Sequence, residues 1–163
     1  MTDSALRAGL RKLGAAHDLT SQAGFALGTV VSGLVVLALC YEVASRYFAG
    51  TPTQWANPLS NFGLAFTVFI ALPEVTRRGG HIAVDLLLVR APMAVAAKMQ
   101  RVILVVSSLA ALVAGWLAGV EALSQFQQGV QTISAVTIPK WCITATIAFG
   151  LASAGLHFLR KLT

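Results

Sequence analysis

The sequence predicts an all-α integral membrane protein with four transmembrane helices, accompanied by an N-terminal and a mid-chain interfacial amphipathic helix. Three observations carry this. The 163 residues are 56% hydrophobic and only 11% charged, against about 25% charged in an ordinary soluble domain. The apolar residues gather into four runs, and crossing a hydrocarbon layer of about 30 Å takes roughly 20 such residues at the helical rise. The Lys and Arg residues lie mainly in alternate segments between the runs.

The chain reads as a single membrane domain, 1–163. Residues 1–20 form an interfacial arm: Leu6, Leu10 and Leu13 share one helical face, Arg7, Arg11 and Lys12 flank it, and Ser4 is available as an N-cap. Its basic side attracts anionic headgroups at about 1 kcal/mol per charge. The simpler alternative is a frayed basic tail.

The first span covers 23–48. Its apolar stretch is too long for a cleaved signal peptide, and no small-x-small site ends it. Leu37-Ala38-Leu39-Cys40 faintly suggests a lipoprotein signal, but the bulky Leu39 argues against one. Glu42 and Arg46 stand one turn apart near its outer end, where mutual neutralisation is the simplest account and a proton or cation site at Glu42 the alternative. A polar loop with Trp55 as an interface anchor leads to the second span, 59–76.

Arg77-Arg78-Gly79-Gly80-His81 ends that span. Ile82, Val84 and Leu86 to Val89, interrupted by Asp85, follow in a segment over 80–98 expected along the membrane surface. Pro92 suits a first helical turn, so a helix is expected to run from it through Lys98 and Arg101 into the third span, 102–123. A Gln-rich loop, 124–140, precedes the fourth span, 141–159, with Trp141 as a second anchor and Trp116 packing within the third span. Gly24, Gly28 and Ser32, then Gly115 and Gly119, then Gly150 and Ala154, are small residues at four-residue spacing. They either pack the four helices together or seat a larger partner.

The net charge of +6 does not form one nucleic-acid-binding patch. Arg7, Arg11 and Lys12, then Arg77, Arg78, Arg90, Lys98 and Arg101, then Arg160 and Lys161 fall on one side; Lys140 and Arg46 fall on the other. The positive-inside rule places both termini and the middle segment in the cytoplasm.

Catalysis finds no home in the sequence. His81 has no ligand-spaced companion, His17 and His157 belong to distant elements, and Cys40 and Cys142 read as small packing residues without a CxxC partner. No nucleophile elbow, phosphate-binding loop or paired carboxylates occur. Neither a metal nor a cofactor is expected.

A linked series remains. Arg46-Tyr47 closes the first span, Trp55 opens the outer loop, Arg77-Arg78-Gly79 ends the second span, and His81-Ile82-Ala83-Val84-Asp85 follows. In order and spacing these resemble the small membrane subunit of TRAP transporters, the DctQ family. The sequence departs from the family pattern at Asn57 and Pro58, where acidic residues usually follow the tryptophan, and at Ala71, where glycine is common. Pro139 resembles the proline that opens helix four, but the second proline usual within that helix is missing.

The resemblance implies a non-catalytic subunit of a sodium-coupled, binding-protein-dependent symporter for an organic acid in the bacterial inner membrane. It implies two protein partners: a large membrane subunit, which carries the substrate and sodium sites, and an extracytoplasmic substrate-binding protein. This chain would be the scaffold against which the large subunit's elevator moves, itself holding no cofactor. Arg46, Trp55, Arg77, Arg78, His81, Asp85 and Trp141 become the expected partner-interface or lipid-anchoring residues. Gln54, Asn57, Gln127, Gln128 and Lys140 become candidates for docking the binding protein. Two rivals are a self-sufficient homodimeric proton-coupled cation exporter using Glu42, and a haem anchor, for which only His157 lies within a span.

Overall fold

The computed structural model describes residues 2–79, 93–132 and 136–162. Four helices make up the fold: α1 (Thr2–Phe48), α2 (Ala56–Arg78), α3 (Met93–Gln128) and α4 (Lys140–Arg160). All four are long and apolar enough to cross a membrane. Among the described residues the only β-type pairing is an isolated bridge between Gln131 and Pro139.

The 47 residues of α1 extend over about 70 Å at the helical rise, roughly twice the hydrocarbon thickness. The arm expected at 1–20 and the span expected from 23 lie on one continuous helix. In the structure the hydroxyls of Thr20 and Ser21 donate back to the carbonyls of Ala16 and His17 at 3.0 Å, which absorbs them into a continuing helix.

Helix α2 ends where Gly79 turns left-handed at φ 78° and its N–H donates to the Thr76 carbonyl, the conformation glycine adopts without a Cβ penalty. Helix α3 is described from Met93 onward, with Lys98 and Arg101 exposed on it. Residues 93–98 of the expected surface segment thus belong to α3. The remainder of that segment, 80–92 with His81, Asp85 and Arg90, lies outside the described residues.

Helix α3 also continues through Gln128, into the stretch read as loop from 124 onward. It stops at Gly129, φ 62°. The Val130 N–H returns to the Gln125 carbonyl at 3.1 Å and the Gly129 N–H to that of Phe126 at 3.3 Å, a Schellman pair that satisfies two end carbonyls.

Helix α1 packs on α2, α2 on α4, and α4 on α3. The lateral order is therefore 1-2-4-3, with α1 and α3 at opposite edges. Small residues set the close approaches. Ile70 of α2 lies against Gly24 and Gly28, Val35 against Gly63, the Ala152 backbone against Gly115, and Leu112 against Gly155. The small-residue faces of α1, α3 and α4 are thereby occupied within the chain, while Gly33 faces open space.

The tightest contact joins two sequence features. Pro73 lies inside α2 and has no N–H to give the carbonyl of Phe69, four residues back. That carbonyl faces Gly150 of α4 so closely that an added Cβ there would sit 2.1 Å from its oxygen. The bare glycine lets the α4 backbone cover an acceptor that α2 leaves unfilled, a place where Cα–H···O contacts contribute.

The fully buried side chains include Glu74, Thr76, Pro73, Ser21 and Ser108, whereas Leu34, Leu37, Val106, Leu109, Trp116 and Leu117 are exposed. That inverts the pattern of a protein dissolved in water. Polar groups point inward to partners: Ser108 donates to the Gly155 carbonyl at 3.1 Å and Thr67 to that of Gly28 at 3.3 Å. The outward faces are apolar, as a hydrocarbon solvent requires.

Candidate interface at the polar ends of the bundle

Two polar clusters occupy opposite ends of the helices. At the basic end, Glu74 sits fully buried one turn before the α2 terminus. Its Oε2 accepts from Arg77 Nε at 2.6 Å, and its Oε1 accepts from Arg77 Nη2 at 2.6 Å and from Arg78 Nε at 2.7 Å. The i,i+3 and i,i+4 spacings put both guanidinium groups over one carboxylate. Such charge-assisted pairs are the strong class of hydrogen bond. Arg78 also lies over the Phe25 ring of α1, 5.3 Å from its centroid.

The same end carries a crossed arrangement between α1 and α4. His17 Nε2 and Ser153 Oγ stand 2.6 Å apart, Ser21 Oγ and His157 Nε2 2.9 Å apart, and the two imidazoles stack at 4.2 Å. Beside them Arg160 donates to both oxygens of Asp18, at 2.5 and 3.3 Å. Lys161 Nζ donates to the Thr76 carbonyl at 2.6 Å, tying the α4 terminus to that of α2. Residues 14–20 of the arm expected at the membrane surface, with Ser21 next to them, are thus fastened to the end of α4.

At the other end, Glu42 does not pair with Arg46. Its carboxylate accepts from the Thr53 N–H at 3.0 Å and from the Thr53 hydroxyl, bracing the outer loop, while Arg46 is exposed. A loop donor that reaches the carboxylate directly replaces the expected ion pair. Trp55 stacks on Tyr41 at 6.1 Å, and Trp141 meets Phe126 edge-on at 5.3 Å, each aromatic pair joining a loop boundary to a neighbouring helix. Gln125 accepts from Thr144 at 2.8 Å and donates to Glu121 at 2.8 Å, closing α3 on α4.

The structure therefore gathers Arg77 and Arg78 at one end and places Arg46, Trp55 and Trp141 at the other. His81 and Asp85 lie outside the described residues. Sequence reasoning missed Glu74, whose signal was its spacing to the Arg pair. It also missed the meeting of His17 with His157, for which a separation of 140 positions left none.

Against this geometry, residues 35–163 match the family model described as Tripartite ATP-independent periplasmic transporters, DctQ component. The chain belongs to the DctQ family. The match covers both Trp55 and the Arg77 to Asp85 series on which the resemblance rested. No curated protein and no solved structure matches. Membership makes the chain the small membrane subunit of a TRAP transporter, a multi-pass membrane protein, and DctQ subunits as a family associate with a large membrane subunit and a binding protein.

Proposed function

We propose that this DctQ subunit is the non-catalytic scaffold of a sodium-coupled, binding-protein-dependent importer of an organic acid, with both termini on the cytoplasmic side of the bacterial inner membrane. The observation that carries the reading is where the charges sit. Glu74 is paired with Arg77 and Arg78 and Asp18 with Arg160 at the basic end of the bundle, and Glu42 is held by Thr53 toward the opposite end. A transport path would instead draw ionisable groups toward mid-membrane. Substrate and sodium sites then belong to the large subunit.

Glu42 as a proton-exchange site is disfavoured by its engagement with the outer loop, which supports the accessory role over the homodimeric exporter. Exposed Arg78 and the basic foot of α3 contribute lipid anchoring or partner contact at the cytoplasmic face, with Trp55 and Trp141 anchoring the outer one.

Co-expression of a tagged copy with the large membrane protein encoded beside it, followed by purification in mild detergent, tests the assignment. Co-elution at one to one is expected. A stable homodimer that excludes the large protein, together with proton-coupled cation export lost in Glu42→Gln, would overturn it in favour of the exporter.

A further inference from the structure

In a membrane protein an exposed apolar stripe says little about what covers it, because lipid tails are as apolar as leucine. Helix α3 carries such a stripe: Val106, Leu109, Val113, Leu117 and Val120, three or four residues apart, share one exposed face. A charged group beside it says more. Glu121 stands one turn beyond Leu117 and is itself exposed.

Glu121 precedes the last residue of α3, Gln128, by about 10 Å at the helical rise, and it lies inward of the aromatic pair of Phe126 and Trp141. A helical side chain leaves its backbone toward the N-terminus, here toward the bilayer centre, so the carboxylate is biased away from the nearer surface. One turn outward, the buried Gln125 donates from Nε2 to Glu121 Oε1 at 2.8 Å, while the Thr144 hydroxyl of α4 donates to the Gln125 Oε1 at 2.8 Å. This relay from α4 holds the carboxylate at its depth. Among the described residues nothing donates to Glu121 Oε2.

Ionisable groups within a membrane face a protein neighbour or a water-filled cavity, because hydrocarbon supplies neither countercharge nor donor. Asp18, Glu42 and Glu74 are engaged by donors of this chain: Arg160, Thr53, and the pair Arg77 and Arg78. Glu121 instead turns an acceptor outward, from a helix at the open edge of the lateral order 1-2-4-3. A second copy of this chain set edge to edge would oppose Glu121 to itself, like charge against like.

We propose that the α3 edge around Glu121 is where the large membrane subunit docks, through a membrane helix that lays an apolar face along Val106 to Val120 and brings an arginine or lysine to Glu121. The inference rests on the scaffold reading and deepens it by naming the face that meets the partner. The apolar stripe supplies packing area, and the carboxylate fixes the register and depth of the incoming helix.

Two measurements on the complex with the large subunit test it. p-Benzoylphenylalanine is placed at Leu117 in one variant and at Leu37, on an exposed face of α1, in another, and native membranes are irradiated. The Leu117 variant is expected to crosslink to a large-subunit peptide with an Arg or Lys in a membrane span, and the Leu37 variant to leave that subunit free. Glu121→Gln keeps an acceptor for Gln125 but removes the charge; it is expected to weaken the detergent-purified one-to-one complex about tenfold or more, with helicity of the isolated chain unchanged. Crosslinking from Leu117 only to phospholipid or to a second copy, stronger crosslinking to the large subunit from Leu37, or a Glu121→Gln complex as tight as the unmodified one would each overturn the docking face. In those cases the one-to-one complex, and with it the scaffold reading, still stands. Failure of the unmodified chain to form that complex removes both.

Discussion

Glu74 shows how one side chain can organise the end of a membrane helix. Its carboxylate is fully buried and accepts three hydrogen bonds from Arg77 and Arg78. A glutamine there removes the negative charge and puts an NH2 donor in place of one carboxylate oxygen facing Arg77, so a charge-assisted hydrogen bond at a fully buried site is lost, at a cost of about 1–3 kcal/mol. Glu74→Gln is therefore expected to lower stability by about that much in a thermal melt of the detergent-purified chain, whereas Arg78→Gln should cost less, since Arg78 is largely exposed. Equal losses in the two variants would refute the central role of Glu74. In the sequence the two arginines were legible as the end of a span, because charge clustering survives without coordinates. The carboxylate was not, because a lone acid before two bases reads the same whether it points to water or inward. Glu42 illustrates the converse: its neighbour at one turn, Arg46, suggested a pair, but a loop N–H and hydroxyl from Thr53 reached it instead.

Among the elements, the contact between α2 and α4 is the least forgiving. Pro73 deprives the Phe69 carbonyl of its helical donor, and Gly150 brings α4 against that same oxygen. An added Cβ at 2.1 Å from a backbone oxygen cannot be relieved by turning a side chain, so the helices must separate. Gly150→Ala is expected to destabilise the bundle by about 1–3 kcal/mol or more, the range for overpacking, while Gly33→Ala, which meets open space, should be neutral or slightly stabilising through helix propensity. Comparing the melting temperatures of the two variants checks both, and a Gly150→Ala protein as stable as Gly33→Ala would discount the close approach. The four spans were readable because hydrophobic length alone marks them. Helix ends were readable where glycine stood, as at Gly79. The continuity of α1 was not readable, because the basic amphipathic face around Leu6, Leu10 and Leu13 and the apolar run from Ala23 look like two segments, and composition does not show that one helix carries both. Nor could the small-residue stripes reveal which helix they meet, since spacing fixes a face but not the neighbour opposite it.

Over the whole molecule, the lateral order 1-2-4-3 and the distribution of charge constrain how the subunit sits in its membrane. Four crossings place the two termini on the same side, together with the segment between α2 and α3. Ten of the twelve Lys and Arg residues fall on that side by this topology, leaving Arg46 and Lys140 opposite. Inverting the protein would carry the whole basic set across the bilayer against the insertion bias. The crossed contacts of residues 14–21 with α4, and of Lys161 with α2, gather this part of α1 and the ends of α2 and α4 at the same basic face, so the orientation of any one of them fixes the others. Single cysteines introduced as Gln127→Cys and Leu162→Cys, with Cys40 and Cys142 replaced by alanine, make the orientation measurable. A membrane-impermeant maleimide applied to intact spheroplasts is expected to label position 127 and to reach position 162 only after lysis. The reverse pattern would place the basic face outside and remove the physical ground for assigning the Arg77 and Arg78 end to cytoplasmic contacts. Labelling at both positions in unlysed cells would mean that the four helices do not all cross.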